Sequence, residues 1–292
     1  MLPGGYWDAA GCLHREFELA TLTGREEELL AQASRSETAS LVTTVLGRCV
    51  QRVGAISPVS EDVARRLLVA DRHYLLLKLR QATFGDQVRA DLMCPWPDCG
   101  ERVSIDFSID GVPVEEPADS APVYTMTLSE AAAGEGADRS REVAFRLPNG
   151  GDQEVLSPHL AHSEAGALTG LLARCVQRIG PLAPPGEGDV AALSPLARAE
   201  IEERMARMAP RVEQTMEARC AACGRLFIAP FDIQRFFFGE LRTDADALYR
   251  EVHYLAYHYH WSEREIMAMT RDKRHTYIDV LADAIEGLNR GA

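Results

Sequence analysis

Apolar residues recur at helical spacing in two stretches that are near copies of each other. Leu46, Cys49, Val50 and Val53 fall at i, i+3, i+4 and i+7, one face of a helix, and Leu172, Cys175, Val176 and Ile179 repeat that face. The pattern predicts helices over about 37–53 and 163–179, with Gly54 and Gly180 as natural stops. Ahead of each helix, apolar and polar residues alternate with period two. A hairpin is expected at 5–22 around a turn at 8–11, and a strand pair at 123–128 and 142–147. An acidic helix start follows each, at 24–30 and at 150–156. Further helices are expected over 61–83 and over 195–208, the second opened by Ser194-Pro195. Strand-like runs at 87–93 and 101–109, and at 212–219 and 225–233, frame two cysteine pairs, which places each pair at a hairpin tip. The last fifty residues read as helices only: one starting at Thr243 and running over 244–259, a short one behind the capping box Ser262–Glu265, and one from Thr270 to about 288.

The copying is literal in places. Arg48-Cys49-Val50-Gln51-Arg52-Val53-Gly54 returns 126 residues later as Arg174-Cys175-Val176-Gln177-Arg178-Ile179-Gly180. Gly24 and Gly150, and Cys94 and Cys220, keep the same offset. The expected fold class is therefore α+β: an internally duplicated unit of hairpin, helices and knuckle hairpin, with a helical C-terminal extension. The first unit is placed at 1–110, a Pro-, Glu- and Asp-rich linker at 111–122, the second unit at 123–239, and a helical docking element at 240–292. Residues 131–140, small and polar, read as a hairpin loop.

The strongest chemical signal is the set Cys94, Cys99, Cys220 and Cys223. Each copy supplies one pair, spaced by four and by two intervening residues, followed by Gly100 or Gly224. Four thiolates suit a closed tetrahedral Zn2+ site with no position left for water, hence a structural rather than a catalytic ion. Free thiols or a facultative disulfide are the competing reading. A redox Cys-x-x-Cys should open a helix, whereas Cys220 and Cys223 are followed by a strand-like run. Cys49 and Cys175 lie on apolar faces and are expected in the core, while Cys12 has no evident role. His253, His258 and His260, interleaved with aromatics, lack the glutamate and spacing of a zinc-protease helix and read as packing with polar tips. Glu26, Glu27 and Glu28 suit the positive end of a helix dipole. Arg271 to His275 reads as a solvated helix face, and Phe236-Phe237-Phe238 as an anchor or contact surface. No Walker loop, dinucleotide fingerprint or nucleophile elbow is present, and no catalytic residue or organic cofactor is expected.

Charge narrows the partners. With 31 Lys and Arg against 44 Asp and Glu, the formal net charge is −13, which opposes phosphate backbones and anionic membrane surfaces. No apolar run is long enough to span a bilayer, and the N-terminus lacks the pattern of a signal peptide, so a cytoplasmic protein is expected. Tight cysteine pairs in such a compartment are more often metal ligands or redox centres than structural disulfides.

Two further stretches carry a resemblance. Residues 75–86, Leu-Leu-Leu-Lys-Leu-Arg-Gln-Ala-Thr-Phe-Gly-Asp, lead into the first cysteine pair. They resemble the baseplate hub protein family of T-even-like contractile phage tails and related contractile injection systems. Residues 248–269, from Leu248-Tyr249-Arg250 to Met267-Ala268-Met269, are similar to the same family and to the end of phage tail assembly chaperones. The resemblance implies a non-enzymatic part in building or capping the hub, with hub, tail tube or other tail proteins as partners. It supplies no catalytic residues, and the four-residue gap between Cys94 and Cys99 departs from the usual two. Two other readings compete: a zinc-ribbon adaptor binding nucleic acid, which needs Lys or Arg beside the knuckles where only Arg102, Arg219 and Arg225 stand, and a zinc hydrolase built on the histidines.

Overall fold

The computed structural model describes residues 1–32, 38–132, 141–160, 163–240 and 245–290. The chain is α+β, with helices and small sheets that form two compact units, each assembled from non-consecutive segments. One takes Met1–Glu18, Ser36–Leu75 and Val112–Glu213; the other takes Leu19–Arg35, Leu76–Gly111 and Gln214–Ala292.

The first unit is organised around helices that turn directly into strands. Helix Thr38–Cys49 buries Val42, Val45, Leu46 and Cys49 and continues as strand Val50–Val53. Helix Glu164–Cys175 continues as strand Val176–Ile179 in the same way. Both helices thus end four residues before the sequence pattern predicts; the predicted start at residue 37 lies outside the described residues. The reason is that Val50, Val53, Val176 and Ile179 satisfy a helical face and an extended segment alike. Their β-branched side chains favour the extended form, and Val176–Ile179 finds a ladder partner in Glu142–Phe145. Gly54 and Gly180 end strands rather than helices, at φ +55° and +54°. Their N–H groups donate to the carbonyls of Glu16 and Glu142 at 2.8 Å each.

Other local details recur at the same offset. Thr43 Oγ1 donates to the Ala39 carbonyl and receives Arg72 Nη1 at 2.8 Å; Thr169 Oγ1 donates to the Ala165 carbonyl and receives Arg198 Nη1 at 3.5 Å. Isolated bridges join Val53 to Ile56 and Ile179 to Leu182. The predicted pair of strands at 123–128 and 142–147 forms as Tyr124–Thr127 against Glu142–Phe145, over a core of Leu128, Val143, Phe145, Leu172, Cys175 and Ile201. Of the predicted loop at 131–140, residues 133–140 lie outside the described residues. Within the stretch read as a linker, Val114–Glu115 pairs with Arg211–Val212. The helix expected over 61–83 is two helices, Glu61–Arg66 and Val69–Phe84, broken where Leu67 turns extended and Leu68 bridges to Asn149. Helix Pro195–Met208 starts as expected, with Ser194 accepting the N–H of Ala197 at 3.0 Å.

Asp71 is fully buried in this unit. Its Oδ1 accepts the N–H of Gly4 at 2.8 Å, while Oδ2 has no hydrogen-bond partner. Burial pushes its carboxyl up to about 7, against the lowering influence of the Gly4 and Gly5 amides. The folded chain therefore holds a proton at Asp71 that the unfolded chain has released above its ordinary carboxylate range. Stability from this group is complete below about pH 4 and is lost as the pH rises to about 7, by at most about 4 kcal/mol. Asp71→Asn retains an acceptor for Gly4 and is expected to flatten that slope and to raise Tm at pH 8. Thermal melts at pH 4–8 that are parallel for both proteins would refute this assignment.

The second unit carries the two cysteine hairpins and the C-terminal helices. Helix Gly24–Gln32 places Glu26 and Glu27 in its first turn, as expected, but Glu27 does more than complement a dipole. It is buried, and both its oxygens accept from Arg274 Nη2 at 3.0 Å, with Arg271 adding a bond at 3.1 Å. Arg274, in helix Arg271–Arg290, is fully buried and also bonds Glu251 at 3.0 Å. The Arg271–His275 run is thus not a wholly solvated face. Ser262 and Glu265 form the predicted capping box, and helix Ala245–Tyr259 precedes it; the predicted start of that helix at Thr243 lies outside the described residues. Phe237 is buried, and Phe236 packs on Phe231 with centroids 5.1 Å apart, so the phenylalanine run, in helix Ile233–Glu240, is an internal anchor.

Candidate metal centre

The cysteines reach one another because two hairpins hold them at their tips. Gln87–Met93 pairs in register with Arg102–Ser108, and Thr215–Arg219 with Leu226–Pro230. Inward-facing residues alternate along these strands, so Val103, Ala218, Phe227 and Ala229 form an apolar floor beneath Cys94 and Cys220. At the tips the backbone curls tightly: Cys94 N–H donates to the Glu101 carbonyl and Cys220 N–H to the Arg225 carbonyl. Gly100 and Gly224 sit at φ +63° and +73°, a left-handed conformation that a side chain would strain.

All four sulfurs lie within 4.8 Å of one another. Between the hairpins, Cys94 approaches Cys223 to 3.9 Å and Cys99 approaches Cys220 to 3.6 Å. A zinc–sulfur bond of about 2.3 Å gives a tetrahedron with edges of about 3.8 Å. The separations match such edges, and all seven cysteines are free thiols. The donor set can hold a metal ion, and it leaves no protein position for a catalytic water.

Proton affinities register the crowding. Cys220 falls to about 7, chiefly because its sulfur accepts the Cys223 backbone N–H, with the Ala222 N–H adding to the effect against burial. Cys94 is raised, first by burial. For Cys99 the Glu101 N–H is the largest influence and lowers it, yet burial and the three neighbouring thiols push it up to about 12. Four anionic sulfurs at this spacing need a cation among them; ligand deprotonation and metal binding are one coupled event.

Among the described residues this is the one cluster with the geometry to ligate a metal. His253, His258 and His260 do not join it or each other in such a site; they are exposed, with His258 stacked edge-on to Tyr254 at 4.8 Å. Cys49 and Cys175 are buried as expected, and Cys12 lies exposed beside its turn. The arginines beside the knuckles are engaged locally. Arg102 pairs with Asp91 at 3.1 Å, Arg225 with Asp98, and Arg219 donates to the Gly224 carbonyl at 2.7 Å. Sequence reasoning passed over Trp96 and Asp98, although the unequal spacing of the two cysteine pairs pointed to a difference between the tips.

A family model described as T4 bacteriophage base plate protein matches residues 12–182, more than half of the chain. The matched span includes Cys94 and Cys99 and ends before Cys220 and Cys223. Neither a curated protein nor a solved structure matches the chain.

Proposed function

The chain belongs to the T4 bacteriophage base plate protein family, and from that membership we propose a non-enzymatic structural or assembly role in the baseplate hub of a contractile tail or related injection system. The observation that carries the reading is the match over residues 12–182. Membership implies contact with other tail proteins. The protein would be made in the cytoplasm and be incorporated in the particle or act on its assembly. No helix among the described residues is long and apolar enough to cross a membrane.

Three features support the finer parts. The recurrence of helix–strand turns, threonine–arginine pairs and cysteine hairpins supports two copies of one unit, 1–110 and 123–239, joined by 111–122 and followed by a docking element at 240–292. The thiolate donor set and its tetrahedral spacing support a structural Zn2+ on Cys94, Cys99, Cys220 and Cys223. Leu226 and Ile228 stand 56% and 66% exposed on the outer face of the second hairpin, where the first hairpin has Arg102 and Ser104. An apolar pair that the first hairpin does without supports contact with another tail protein.

Co-expression with the tail proteins encoded beside it tests the role. The chain is expected to co-purify with a hub, tube or other tail component. The double variant Leu226→Arg/Ile228→Ser, which installs the first hairpin's residues, is expected to lose that partner while melting within a few degrees of wild type. Absence of any tail partner, together with normal particles after gene deletion, would overturn the role. A salt-sensitive shift of DNA or RNA would favour the nucleic-acid adaptor instead; the pairing of Arg102 and Arg225 with carboxylates weighs against it.

A further inference from the structure

The two knuckles are unequal, and the inequality is put to use. Cys94 and Cys220 are 126 positions apart but Cys99 and Cys223 only 124, so the first tip holds two extra residues: Pro95-Trp96-Pro97-Asp98 against Ala221-Ala222. The longer tip reaches the other knuckle. The Arg225 guanidinium, two residues beyond Cys223, lies over the Trp96 ring with its carbon 5.0 Å from the centroid. Arg225 Nη2 also donates to Asp98 in an ion pair. Pro95 and Pro97 restrict the backbone on both sides of Trp96, which lowers the entropy lost in presenting it. Arg225 also fixes its own tip, since its carbonyl accepts the Cys220 N–H at 3.0 Å.

We propose that Arg225, gripped by Trp96 and Asp98, is a positioning residue that clasps the two knuckles together and so preorganises the four sulfurs for a metal ion. The inference rests on the zinc reading of the site. It adds an electrostatic element: a divalent ion with four thiolates carries two net negative charges, and Arg225 stands beside them with a fixed positive one. The Asp98 pair is solvent-exposed on both sides, at 40% and 64%, so the ion pair alone is weak. The stack on Trp96 sets where the guanidinium sits. Arginine is required for this, because a lysine ammonium offers charge without a flat face.

The test uses the full chain loaded with Zn2+ or Co2+. Arg225→Ala, and a variant whose residues 95–98 are shortened to Ala-Ala, are expected to lose zinc to a chromogenic chelator about 10- to 100-fold faster than wild type. The cobalt absorption of a four-thiolate site should persist in both, showing that the ligands remain. Arg225→Lys should fall between wild type and Arg225→Ala. In metal-free protein, the thiols of Arg225→Ala should react faster with a disulfide reagent than those of wild type. Trp96→Leu and Asp98→Asn, both in the exposed tip, keep the test open should Arg225→Ala misfold. Zinc release at the wild-type rate from all of these variants would remove the clasp and leave the zinc site standing. A wild-type protein that binds no stoichiometric metal would overturn the zinc reading and the clasp with it.

Discussion

Replacing Cys220 by serine is expected to abolish stoichiometric zinc and to lower Tm by roughly 10–20 °C. The thiol is almost completely buried, lies 3.6 Å from Cys99, and belongs to a set in which every sulfur is a neighbour of every other. Without it, three thiols remain around a position that no other side chain of the set can fill. Structural zinc binding is worth roughly 10–16 kcal/mol in small zinc-dependent folds, comparable to the whole stability of an ordinary domain. Part of that is recovered here by the apolar floor of Val103, Phe227 and Ala229. The remaining loss of several kcal/mol corresponds to the stated fall in Tm for a protein of this size. A strong chelator should reproduce it in wild type, and zinc should reverse it. Cys49→Ser alters a buried thiol in the other unit and should leave metal content unchanged. Full metal content and an unaltered melt in Cys220→Ser would sink the four-thiolate assignment.

The cysteine hairpins were legible because their chemistry is local. Alternation on each side of Cys94–Cys99 and Cys220–Cys223 sets two strands, and glycine after the second cysteine sets the turn, so nothing distant is needed to place the tips. The strands at 50–53 and 176–179 were not legible, because an apolar pair three residues apart fits a helix face and a strand edge alike. For 176–179 it is the presence of Glu142–Phe145 as a ladder partner that decides for the strand. Arg274 shows a third case. It shares a face with Ile278, Leu281 and Ile285 at i+4, i+7 and i+11, a signal that it turns inward. The residue that makes burial tolerable, Glu27, lies nearly the whole chain away, and one sequence does not single it out from Glu26 and Glu28.

The pairing across that distance makes Glu27→Gln the second large prediction, a loss of about 3–5 kcal/mol. Glu27 neutralises Arg274, which has no exposure to water, and Arg271, which is a quarter exposed. Amidation keeps the shape and an acceptor oxygen but leaves a buried guanidinium with Glu251 as its carboxylate partner, itself shared with His275 at 2.9 Å. Breaking one side of a buried pair is costly because the other side is stranded, whereas replacing both sides by apolar groups is often neutral. Glu27→Leu combined with Arg274→Met should therefore recover most of the stability that either change loses alone. A double-mutant cycle by urea denaturation measures this coupling. Additive single losses, or a Glu27→Gln protein as stable as wild type, would mean that the helix Gly24–Gln32 is held to helix Arg271–Arg290 by apolar packing and not by this ion pair.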